Sequence, residues 1–224
     1  MHNNHKLELH YYLKNNSHAL NAMTRNKCEH EYLSLLYEIA RRMDIEIDVI
    51  SLPPENGGFK EFWNIFGQHG NQLTVILSVV ALLITLDSKF NNELDDLKKE
   101  KIKLEIKLLK KELSEQTTFN RNSLQIINNI AITINKTYKI TKYKSNFYES
   151  MQNDNSIEFF DTTLYKNQQS ISKSKKIYRQ DFSKFIIHKN DLPNEIIENA
   201  KIEIISPVLK KGRYKWKGLY KGDT

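Results

Sequence analysis

Two scarcities organise this chain. Between residues 71 and 192 there is neither glycine nor proline, so that span can hold long, uninterrupted helices. There is one cysteine, Cys28, which excludes an intrachain disulfide framework and suits a reducing compartment. The N-terminal MHNNHKLELH has no basic-then-apolar leader pattern, so the chain is expected in the cytoplasm. No GxSxG, HExxH, Walker or CxxC motif occurs. No catalytic residue, metal or cofactor is therefore expected.

What is present is enough to fold. Hydrophobic residues make up 39% of the chain and aromatics 10%, which excludes wholesale disorder. The net charge of +7 is unevenly placed. Residues 1–70 hold seven Lys/Arg against nine Asp/Glu, and the remainder holds 27 against 18. A basic excess of this kind suits nucleic acid, an anionic membrane surface, or solubility alone.

The longest apolar run is LTVILSVVALLITL, residues 73–86. A helix apolar on every side must be buried in a core, an oligomer or a membrane. Fourteen residues span roughly 21 Å, short of the roughly 30 Å of a bilayer core. A spanning orientation would also export the head, because lysines follow the run much more densely than they precede it. A core helix, an oligomer contact, a membrane span with local thinning, and re-entrant or in-plane membrane burial all stay open. Trp63, Phe66, Leu73, Ile76, Val80 and Leu83 are the expected contact residues, with attachment to the cytoplasmic membrane and a homo-oligomer as the corresponding expectations.

The fold class expected is α+β, in three parts. Residues 1–70 read as a small βαβ head. Strand 6–13 alternates Leu7, Leu9 and Tyr11 with Glu8, His10 and Tyr12, and a second strand alternates Ile45, Ile47 and Val49 with Glu46 and Asp48. A helix over 18–43, capped by Ser17, connects them as a parallel crossover. Both strands have one polar face, so helices are expected on one side of the sheet only. Phe59, Phe62, Trp63 and Phe66 then predict a short amphipathic helix. Residues 71–150 form a helical connector, with amphipathic helices over 88–114 and about 124–138. Residues 151–224 read as β-rich, with strands over 157–164, 175–178, 201–208 and 213–220. The last two are joined through Lys210-Lys211-Gly212. The chain closes on a turn signal, so this sheet is expected to be completed by another chain or by further sequence.

The strongest candidate site lies on helix 18–43. Leu36, Ile39, Ala40 and Met43 share a face, and extending it toward the N-terminus meets His18, Asn21, Ala22, Arg25 and Glu29. A stripe that turns polar beside the end of the first strand, at a helix N-terminus, suits an anionic ligand. Ser17, His18, Asn21, Arg25 and Glu29 are the expected ligand-binding residues. The loop Glu55-Asn56-Gly57-Gly58 would reach the same edge, its glycines permitting close backbone approach. The alternative is a plain i,i+4 ion pair between Arg25 and Glu29.

Glu8, His10, Glu46 and Asp48 match no metal-ligand spacing and read better as exposed charges. Cys28-Glu29-His30 is too compact for a metal pair, because i and i+2 point apart on a helix. In the tail KKGRYKWKGLYKG, period two puts Arg213, Lys215 and Lys217 on one face and Tyr214 and Trp216 on the other, whereas base stacking needs aromatics on the basic face. Lys136, Lys139, Lys142 and Lys144 form a better phosphate or lipid patch.

The strings LELHYYLKNNSHALNAMTRNKCEHE, GGFKEFW and EIISPVLKKGRYKWKG, in this order, resemble blocks of a widespread family of uncharacterised bacterial proteins. The resemblance implies no activity and transfers no functional residue. It implies members that continue past this C-terminus and an association with phage-defence islands. The resulting expectation is a non-enzymatic sensor or effector that binds a ligand or partner and oligomerises or contacts membrane through its helices. The alternative is a soluble basic protein that binds nucleic acid. A third reading, an enzyme with His18 and Glu29 as acid and base, lacks a nucleophile.

Overall fold

Strand β1 (His5–Leu13) is paired along almost its whole length on both sides, to β3 (Phe59–Gly67) and to β4 (Ile157–Lys166), antiparallel in each case. The structure is a computed structural model and describes residues 5–53, 59–67, 70–85, 138–187, 200–206 and 217–219. Residues 1–191 form one unit and 192–224 another.

In the first unit the six-stranded sheet runs β2-β3-β1-β4-β5, with β2 at Ile47–Leu52, β5 at Gln169–Lys173, and a short β6 (Ile177–Tyr178) also on β4. Because β1 and β2 are each antiparallel to β3, they are parallel to each other. The expected crossover is thus present, but β3 lies between its two strands. With helix α1 (Ala22–Arg42) after β1 and helices α2 (Gly70–Ile84) and α3 (Tyr138–Gln152) between β3 and β4, the order is the split βαβ arrangement β-α-β-β-α-β. The α+β class is as expected.

The structure differs from the sequence reading in several places. Residues 59–67 form a strand, not a helix. Their apolar positions satisfy both periods, and pairing on both sides, to β1 and β2, decides for the extended form. Helix α1 starts at Ala22 rather than residue 18. Asn15 and Asn16 have φ of 56° and 52° and Ser17 is extended, so the chain turns before it can coil. Asn21 becomes the cap, its Oδ1 accepting from the amides of Met23 and Thr24 at 2.9 and 3.2 Å. The boundaries at 70/71 and 150/151 both fall inside the first unit, because β4, expected in a separate tail, pairs with β1 of the head.

The three described α-helices pack on one face of the sheet. That face presents Leu7, Leu9 and Tyr11 from β1, Trp63 and Ile65 from β3, and Phe160 and Leu164 from β4, all buried. Tyr32 of α1 meets Trp63 edge-on at 5.6 Å, and Phe147 of α3 meets Phe160 at 5.1 Å. His5 Nε2, on the same face, lies 2.8 Å from Thr74 Oγ1 of α2. Helix α2 is therefore a core helix of this unit, with Leu73, Ile76, Val80 and Leu83 buried within it. Among the described residues no helix is long and apolar enough to cross a membrane.

Arg179 closes the far end of α3. Its guanidinium donates to the carbonyls of Met151 (3.3 Å), Gln152 (2.6 Å) and Asp154 (2.6 Å), satisfying acceptors that a helix C-terminus leaves open. Residues Asn167 and Gln168, both with positive φ, make the two-residue hairpin between β4 and β5. In the second unit β7 (Glu203–Ser206) and β8 (Lys217–Leu219) pair antiparallel, as the sequence predicts. The expected helices 88–114 and 124–138 lie outside the described residues, apart from Tyr138 at the start of α3.

Candidate functional site

The stripe at the start of α1 is tied to the sheet by an ion pair. Arg25 Nε donates to Glu61 Oε1 at 2.6 Å, a carboxylate on β3 that is buried, with Tyr11 Oη 3.5 Å from its other oxygen. Arg25 thus pairs with an internal acid, and the partner is Glu61 rather than the expected Glu29. Burial pushes the Glu61 carboxyl up, and the bond from Arg25 opposes that. Asn21 caps the helix, Ser17 Oγ accepts from the Ala19 amide at 3.2 Å, His18 is exposed, and Glu29 is half-buried. Glu55, Asn56 and Gly57 lie outside the described residues. Trp63 is buried and Phe66 half-buried on the sheet. The two therefore sit in the fold rather than on a surface helix. Of the lysine patch, Lys144 is buried against the Phe185 ring at 5.2 Å, and Lys136 lies outside the described residues.

A denser constellation stands on the other face of the sheet, where the described residues place no helix. Registers fix its members: Lys6, Glu8, His10 and Tyr12 from β1, opposite Asn64, Phe62 and Lys60 on β3 and Tyr165, Thr163, Asp161 and Phe159 on β4. Glu8 and His10, expected as exposed charges, are buried. As members of a central strand they are flanked by long side chains on both sides.

The charges alternate. Glu8 accepts from Tyr165 Oη at 2.6 Å and lies 3.3 Å from Lys60 Nζ and 3.7 Å from His10 Nδ1. Asp161 accepts from Tyr12 Oη at 3.2 Å and lies 3.5 Å from Lys173 Nζ. Burial, reinforced by Lys60, lowers the His10 pKa against the opposing pull of Asp161 and Glu8. Burial and the neighbouring Asp161 push the Tyr12 phenol up to about 12.

The rings form a continuous row. His10 stacks on Tyr12 with centroids 3.6 Å apart, Tyr12 stacks on Phe159 at 4.0 Å, and Phe159 meets Tyr178 at 5.4 Å. Lys176 Nζ stands over both Tyr12 and Phe159, 4.8 and 4.6 Å from their centroids. Tyr178, at the end of the row, is 50% exposed. No protein-family model, curated protein or solved structure matches the chain.

This row was legible only in part. Period two does place His10 and Tyr12 on one face of β1. Nothing in the sequence pairs them with Phe159 and Tyr178, about 150 residues away. The described residues contain no cluster of three or more His, Cys, Asp or Glu able to hold a metal. Chemically, the face offers aromatic rings, ammonium groups and two carboxylates.

Proposed function

We propose that the outer face of the sheet, on which the described residues place no helix, binds single-stranded nucleic acid. The observation that carries this reading is the ring row His10–Tyr12–Phe159–Tyr178, with Lys176 set over it. A four-stranded sheet can recognise single strands by stacking two or three bases on aromatics of its exposed face. Cations beside those aromatics meet the phosphates. Lys176 stands over the row, Lys60 and Lys173 pair with Glu8 and Asp161 on the same face, and Lys6 lies over Phe62 further along it. The overall charge of +7 favours the same class of partner. The sequence argument that stacking needs aromatics beside basic groups supports this sheet as the platform; Arg213, Tyr214, Lys215 and Trp216 of the tail lie outside the described residues.

Fluorescence anisotropy with labelled oligonucleotides of about eight nucleotides tests the reading. The expected result is binding that weakens with salt, with a log–log slope of about −2 if roughly three phosphates are neutralised. Tyr178→Ala, at an exposed position, is expected to weaken binding about tenfold. Absence of binding at low salt, or affinity unchanged in Tyr178→Ala and Lys176→Glu together, would overturn it.

A further inference from the structure

The two carboxylates of the outer face are not equally satisfied. Glu8 has the Tyr165 hydroxyl, the Lys60 ammonium and His10 about it. Asp161 is fully buried, and both of its described contacts, from Tyr12 and Lys173, go to Oδ2. Its Oδ1 is buried with no hydrogen-bond partner. An ionised carboxylate can accept about four hydrogen bonds, and buried polar atoms are seldom left unpaired without a functional reason. The open acceptor belongs to the residue opposite His10 in the ladder, beside the rings of Tyr12 and Phe159. Lys173, which reaches Asp161, has a side chain 55% exposed and is free of the constraints of a packed core.

We infer that Asp161 selects among bases: the face prefers those carrying an exocyclic amine (cytosine, adenine, guanine) over uracil and thymine. This rests on the nucleic-acid reading above. A base added to the ring row with an amine on its edge can donate N–H to Oδ1, the oxygen that Lys173 leaves free. Uracil and thymine present a carbonyl oxygen where cytosine carries its amine, which faces the carboxylate as acceptor to acceptor; their own donor, N3–H, lies one ring position away. Carboxylates accept from the cytosine amine for the same reason in duplex recognition. Stacking alone would not discriminate in this way, because every base has a π-face.

The test compares three homopolymers of about eight nucleotides on the full chain by anisotropy: cytidine, uridine, and cytidine with its amine dimethylated. Dimethylation keeps the ring and removes the donor. The cytidine oligomer is expected to bind about tenfold more tightly than either of the others. In Asp161→Asn, checked for folding by circular dichroism, the three affinities are expected to converge. Equal affinities in the native protein overturn this inference and leave the binding face standing. Failure of all three to bind overturns both. The native comparison decides the matter even if the variant does not fold.

Discussion

Arg25 Nε and Glu61 Oε1 lie 2.6 Å apart, tying the first turns of α1 to strand β3 across 36 residues of sequence. The carboxylate is almost wholly covered while the guanidinium side chain is 47% exposed. Arg25→Ala strands a charge in the core, where burial already raises the Glu61 pKa. A loss of about 2 kcal/mol is expected in urea unfolding, below the cost of breaking a fully buried pair because the arginine is half in water. Glu61→Gln should cost less, and adding it to Arg25→Ala should recover part of the loss.

Arg179 is expected to matter for stability although most of its partners are backbone groups. It serves the carbonyls of Met151, Gln152 and Asp154 together with Asn155 Oδ1. Arg179→Ala should lower unfolding stability by about 2 kcal/mol. Arg179→Lys should restore only a minor part, because an ammonium donates from one point and cannot span several carbonyls. Equal stabilities of the native protein and Arg179→Ala would show that water replaces these bonds without loss.

His10 makes the fold sensitive to acid. Its pKa is below the usual 6.5, so from about pH 6.5 down to the folded value the unfolded chain binds the proton more readily. Stability contributed by neutral His10 is therefore present above that window and is lost as the pH falls through it. The groups facing it are Lys60 and Lys173, which disfavour its charge, and Asp161 and Glu8, which favour it. In His10→Asn the decline of unfolding free energy between about pH 7 and 5 is expected to be shallower than in the native protein. Parallel curves would remove His10 as a contributor.

Cys28 is expected to be unreactive in the folded protein. It is fully buried, its Sγ lies 3.9 Å from the Phe147 carbonyl oxygen, and burial pushes the thiol pKa well above its usual value. A thiol of this kind carries almost no thiolate near neutral pH. Labelling with a disulfide reagent should proceed only as fast as the unit opens, and immediately in denaturant. Rapid native labelling would mean that α1 and α3 separate readily.

The sequence alone was enough for the class of the fold and for those elements whose patterns are local. Alternation identifies β1, because Leu7, Leu9 and Tyr11 really do share the core face. The pairing of β7 with β8 follows likewise from short-range signals. The apolar run 73–86 announces burial, and most of it forms α2, yet its composition could not say what buries it. Tertiary structure decided that the cover is the sheet and helices of its own unit. It also decided that residues 59–67 pair between β1 and β2, where a stretch apolar at both periods must be extended. The candidate face depends on the same kind of decision. Phe159, Asp161 and Tyr178 reach His10 and Tyr12 only because β4 docks beside β1. Residue patterns record the faces an element must bury, whereas strand order follows from which of those faces fit one another once the chain has closed on itself.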